Sequence, residues 1–111
     1  MAGRRNEWTN YGLLTAVNTS ANTISDVLNV RGVDGYAIQA SLTLADSPNV
    51  VVTLSGSLDN ETFTEIAHCT LTDNNSALFN VSQPHYEFAR IQFDWYDGFG
   101  TISANAASEA S

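Results

Sequence analysis

Apolar side chains recur along this chain with a period of two. In the clearest run Tyr36, Ile38, Ala40, Leu42 and Leu44 alternate with Ala37, Gln39, Ser41 and Thr43. Successive side chains of an extended strand point to opposite faces, so this run predicts a strand with one buried and one wet face. Val50, Val52 and Leu54 repeat the pattern. The longest run, Tyr86 to Trp95, sets Ala89, Ile91, Phe93 and Trp95 against Phe88, Arg90, Gln92 and Asp94, and predicts a central strand. Shorter runs lie at Leu13 to Val17, Asp26 to Val30, Phe63 to Cys69, Ala77 to Val81 and Thr101 to Ser103. Phe63 and Ile66 differ in parity, and a bulge between them would turn both toward the core. No segment longer than a turn or two carries a helical period.

Turn-forming clusters separate the runs: Gly32 with Asp34-Gly35, Asp46-Ser47-Pro48-Asn49, Asp59-Asn60, Asp73-Asn74-Asn75, Gln83-Pro84-His85 and Asp97-Gly98-Phe99-Gly100. Gly, Asn and Asp tolerate positive φ, and Pro lacks the N–H that a strand ladder needs. About eight short strands bounded in this way predict an all-β fold, a two-sheet antiparallel β-sandwich of jelly-roll-like type. The 111 residues suit one hydrophobic core. The expected division is an extended N-terminal arm over 1–10, the sandwich over 11–103, and a C-terminal tail or edge segment over 104–111. Trp8 stands out in the arm, because an indole in a polar segment implies a surface to pack on.

Charge narrows the function. Twelve acidic residues against four arginines, with no lysine, give a net charge of -8. Such a field repels a phosphate backbone, so nucleic acid is not an expected partner. Arg4 and Arg5 form a basic tip on an acidic body, with Arg31 and Arg90 the other two cations. No run approaches the roughly 20 apolar residues of a membrane helix, and the first residues lack the apolar core of a signal peptide. Folding in a cytoplasm is therefore expected, in keeping with the lone Cys69, which has no internal disulfide partner and sits within a strand-like run.

Candidate chemistry is sparse. His68 and His85 lack the spacing and companions of a zinc site, and no serine sits in a nucleophile-elbow context. No catalytic role, metal or cofactor is expected. Asp59-Asn60-Glu61 and Asp73-Asn74-Asn75 offer oxygen ligands of the kind calcium takes, but Asx-rich turns account for them better. Sequons at Asn18, Asn60, Asn74 and Asn80 are as expected by chance in a chain this rich in Asn, Ser and Thr. Tyr96 and Phe99, beside Asp94 and Asp97, form a possible glycan or surface contact, since flat rings stack on sugars and carboxylates accept from hydroxyls. Trp95 keeps the inward parity and is expected to plug the core.

Three segments carry a family resemblance: Gly35-Tyr36-Ala37-Ile38-Gln39, Val52 through Ile66, and Tyr86-Glu87-Phe88-Ala89-Arg90-Ile91. Together they resemble small tailed-bacteriophage virion proteins, head decoration or minor capsid components with a sandwich core. In that group the middle motif has a strand, a Ser-x-Asp-Gly type turn, an aromatic and then an Ile. Here Leu58 and Asn60 depart from the usual Asn and Gly, and Phe63 replaces the more frequent Trp. The resemblance implies a virion location after folding in the host cytoplasm. It also implies contact with the major capsid protein or other virion proteins, and a homo-oligomer, for which a trimer about a capsid axis is the guess. The arm residues Arg4, Arg5 and Trp8, with an open sheet edge, are the expected contacts. The competing expectation is a carbohydrate-binding module for host-surface attachment, using Asp94, Tyr96, Asp97 and Phe99.

Overall fold

The computed structural model describes residues 8–82 and 84–110. It contains seven strands: β1 (Trp8–Thr19), β2 (Thr23–Ile24), β3 (Leu28–Asn29), β4 (Val33–Ser57), β5 (Thr64–Leu71), β6 (Asn75–Ser82) and β7 (Phe88–Ala110). Every pairing is antiparallel, and hydrogen bonds join all seven strands into one sheet where two were expected. No helix occurs among the described residues.

Two mergers of predicted neighbours take the count from about eight to six, and the unanticipated β2 brings it to seven. Tyr36 to Leu44 and Val50 to Ser55 are one 25-residue strand, and Tyr86 to Trp95 continues through Thr101 to Ser103 in a 23-residue strand. The two clusters expected to reverse the chain, Asp46-Ser47-Pro48-Asn49 and Asp97-Gly98-Phe99-Gly100, lie opposite each other, with Asp46 facing Phe99 and Asn49 facing Asp97. Each adds residues to its strand and leaves the ladder running, which is what a bulge does. Leu44 (φ 52°), Ser47 (φ 48°) and Gly98 (φ 70°) take the left-handed conformations. A straight strand of this length would reach about 80 Å, whereas the longest dimension of the molecule is 50 Å. The long strands therefore bend, and the paired bulges are where they do so.

The bend divides the sheet into two wings. In the first, β1, β7, β4 and β6 lie side by side over 100–110 of β7 and 33–43 of β4. In the second, β2 and β3 flank 88–95 of β7, which pairs with 50–57 of β4 and then β5. Tyr36, Ile38, Ala40 and Leu42 from one wing and Val50, Val52 and Leu54 from the other belong to one buried cluster. β7 buries odd positions in the second wing (Ala89, Ile91, Phe93) and even ones in the first (Ile102, Ala104, Ala106), because its bulge shifts the phase.

Both expected chain boundaries move. Trp8 to Asn10, placed in the arm, pair with Ala107 to Glu109 as the start of β1. The segment 104–110, expected as a tail or edge segment, is the final stretch of central β7. Its small residues face the bulkiest side chains of β4: Ser108 opposes Tyr36 and Ala106 opposes Ile38. Small residues here complement large ones in a close-packed interior. The Asp26 to Val30 strand is reduced to the two residues of β3, and the two-residue β2 at Thr23–Ile24 was not anticipated. The bulge in β5 does occur at Ile66, where the register steps from Leu54–Ala67 to Ser55–Glu65. It does not bury Ile66, which stays 36% exposed. Gly56 makes room there: a Cβ at this position would sit 2.6 Å from Tyr86 Cγ and 2.9 Å from Ile66 Cδ1.

Candidate functional site

At the bend, backbone groups leave the ladder and need other partners. Two asparagines from the connecting loops provide them. The Ala45 N–H donates to Asn74 Oδ1 at 2.9 Å, and the Trp95 N–H donates to Asn22 Oδ1 at 2.8 Å. Asp97 Oδ1 accepts from the Gly98 N–H at 2.9 Å. A Cβ at Gly98 would run into the Asp46 and Ser47 carbonyl oxygens, so only glycine lets the two bulges close on each other.

This fixed bend displays apolar side chains outward. Leu44 is 76% exposed, Tyr96 71% and Phe99 44%. Tyr96 lies between Trp95, opposite Val50, and Asp97, opposite Asn49, and has no cross-strand partner of its own. Trp95 packs against the core, as its parity predicted. The carboxylates beside these rings are partly engaged: the Gln92 Nε2 group donates to Asp94 Oδ1 and Oδ2 at 3.0 and 3.2 Å. Asp94, Tyr96, Asp97 and Phe99 thus share one stretch of β7, and Leu44 joins them from β4. Leu44 was missed in sequence because its parity matches the core series. Arg4 and Arg5 lie outside the described residues, and only the backbone of Trp8 is described.

The outer faces of the two wings differ in chemistry. On the second, the cross-strand rows are Arg90–Ser55–Glu65, Gln92–Thr53–His68 and Asp94–Val51–Thr70. His68 Nδ1 lies 2.7 Å from Glu65 Oε2, and Arg90 lies over the Phe63 ring at 3.9 Å from its centroid. On the first wing the rows are Asn10–Ala107–Ala37–Asn80, Gly12–Asn105–Gln39–Leu78 and Ser103–Ser41–Ser76. Those eleven positions hold no charged residue, on a chain of net charge -8. A shallow depression of about 190 Å³ lies on this face, lined by Asn10, Ala37, Gln39, Leu78 and Asn105 with Ala106 and Ala107. The sequence contained this surface in the polar half of each alternation, but its neutrality emerges only when the register sets four strands side by side.

The acidic turns are occupied by their own backbone. Asp59 Oδ1 accepts from the Thr62 and Glu61 N–H groups, each at 2.9 Å, and from the Ser57 hydroxyl at 2.9 Å, with Asn60 at φ 63°. These bonds hold the Asp59 carboxyl below the usual aspartate range. Asp73 Oδ1 accepts from the Asn74 N–H at 2.7 Å. No cluster of three or more metal-ligating side chains occurs among the described residues. His85 is exposed in the β6–β7 connection and Cys69 packs beside the core.

No protein-family model matches the chain, and no curated protein matches its sequence. Solved structures do share its fold. The SPBc2 prophage-derived protein YomS superposes with a TM-score of 0.67 at 8% identity, over 99% of both chains. A structure from Bacillus endospore appendages, described as a family of disulfide-linked pili, superposes with a TM-score of 0.55 at 14% identity, over 100% of this chain and 96% of that one. A structure described under CBM4 structure and function covers 92% of this chain and 86% of its own at 15% identity, with a TM-score of 0.48, too distant to bear on function. At these identities the likeness is one of fold.

Proposed function

We propose that this chain is a structural component of a bacteriophage particle, a decoration or minor capsid protein that attaches to other virion proteins and stabilises the shell. The observation that carries this reading is the uncharged patch formed by those eleven positions on the outer face of the first wing, beyond which the next row carries Glu109. A neutral patch of sheet on an otherwise acidic chain suits burial against another protein, because no charge there must be desolvated or paired. Its fold is also that of a prophage-derived protein along nearly the whole length of both chains. Small domains bridging neighbouring shell subunits add interface area at each contact, and the shell resists internal pressure accordingly. Arg4, Arg5 and Trp8 remain the proposed second contact. On this reading the chain performs no catalysis, and the finer architecture we favour is a sandwich made by the two wings.

The test is occupancy on purified parent particles. Gln39→Glu with Asn105→Asp, two exposed outer-face positions, should cut occupancy at least tenfold while leaving the isolated domain folded. Full occupancy of that variant would remove the reading. A second reading, a carbohydrate-binding module, is favoured by the exposure of Tyr96 and Phe99 beside Asp97. It requires glycan binding by the isolated chain that Tyr96→Ala and Phe99→Ala abolish, and a blank glycan array would dispose of it.

A further inference from the structure

The sheet has four edges, and among the described residues three carry a feature that discourages pairing with another chain. β1 has two register shifts and a positive φ of 22° at Ala16. β5 carries Glu65 and the bulge at Ile66. β2 and β3 are two residues each. Irregularity, charge and shortness are the common protections of sheet edges. β6 has none of them. Its eight residues, Asn75 to Ser82, include no charge, proline or glycine, and its register against β4 runs unbroken from Gly35–Ser82 to Leu42–Asn75. At its middle Leu78 is 61% exposed.

We propose that β6 is the edge through which two copies of this chain pair, antiparallel about a two-fold axis at Leu78. The Ser76 N–H donates to the side-chain oxygen of Asn75 at 2.8 Å, a partner outside the β4 ladder. By alternation along the strand, the N–H groups of Leu78 and Asn80 also face away from β4. Setting Leu78 opposite Leu78 of the second copy places Ser76 opposite Asn80 and Ala77 opposite Phe79. Buried-face residues then meet buried-face residues, as a continuous sheet requires. The two-fold makes each of these pairs occur twice, as in any isologous contact, with the small Ala77 beside the large Phe79 on both sides of the axis.

Charge selects the partner. Two chains of net charge -8 repel over most of their surfaces, but β6 and the rows beside it at Asn80, Leu78 and Ser76 hold no charge, so a second copy meets no like charge along this strand. The outward donors of Leu78 and Asn80 gain acceptors, and the exposed leucine gains an apolar cross-strand neighbour. The pairing also joins the two neutral outer faces into one surface. The inference is independent of whether the chain sits on a particle.

Sedimentation of the full chain across the micromolar range should give a mass approaching twice 12.0 kDa. Leu78→Lys sets like charges face to face on the axis and should halve that mass, with circular dichroism unchanged because the side chain is exposed. Cys69→Ser with Leu78→Cys should form a disulfide-linked dimer in air, since hydrogen-bonded antiparallel pairs have Cα atoms about 5.5 Å apart. Asn80→Cys in the same background, opposite Ser76, should not. A monomeric or trimeric mass, a dimer indifferent to Leu78→Lys, or cross-linking at position 80 in place of 78 would each overturn the proposal.

Discussion

The side-chain carbonyl of Asn74, in the loop before β6, accepts the backbone N–H of Ala45 at 2.9 Å, inside the β4 bulge. It ties the β5–β6 connection to the bend and satisfies a donor that the ladder has lost. Asn74→Ala should destabilise the fold by about 1 kcal/mol, the usual net worth of such a bond. Asn74→Asp, which keeps the acceptor, should recover most of that loss. Urea denaturation midpoints of the two variants provide the check.

Two leucines of one strand should respond oppositely to truncation. Leu54 is fully buried and Leu44 is 76% exposed, although both lie at even positions of β4. Leu54→Ala should cost about 2–5 kcal/mol through lost burial and the cavity left behind. Leu44→Ala should change stability by less than about 0.5 kcal/mol. Equal losses in thermal unfolding would mean that the bend is packed where it is described as open.

Tyr36 is 2% exposed, its hydroxyl has no partner among the described residues, and burial pushes its pKa up to about 12. The fold holds the neutral phenol, so its contribution is complete below the ordinary value of 10.0 and is lost as pH rises from there toward 12. Each pH unit in that window should remove roughly 1.4 kcal/mol. Tyr36→Phe should match the wild type within about 1 kcal/mol at neutral pH and show a flatter alkaline decline. Chemical denaturation at a series of alkaline pH values compares the two.

At Asp59 the sign reverses. The Thr62 and Glu61 N–H groups and the Ser57 hydroxyl hold its carboxyl below the ordinary 3.8. The stability it lends the β4–β5 turn is present above 3.8 and is lost as pH falls through the lowered folded value. Asp59→Asn, which has no charge to lose, should therefore show a smaller drop in denaturation midpoint on acidification than the wild type. An identical acid profile would separate Asp59 from the turn's pH response.

Alternation alone located the inward residues of β4 and the second-wing half of β7, because burial on one side of a pleated strand leaves a period of two that survives in composition. It failed where the backbone changes phase without reversing. Asp97-Gly98-Phe99-Gly100 has the composition of a hairpin turn and forms a bulge instead, since bulges and turns draw on the same positive-φ residues. The segment 104–110 reads as a tail or edge segment because alanine and serine carry little hydrophobic signal, although Tyr36 and Ile38 opposite them need small partners. Tyr96 and Phe99 were legible as exposed from their place beyond the inward series. The neutral face and the unprotected β6 edge were not, because both depend on which strands become neighbours.

Among the described strands, the first is completed only by the last. β1 has no cross-strand neighbour except β7, and β7 also fills the central position of each wing. During synthesis, β4, β5 and β6 emerge from the ribosome with an apolar side uncovered until the final strand arrives. Folding should therefore wait on the emergence of β7 and proceed slowly for a domain of this size, with chaperone dependence concentrated in the interval before it.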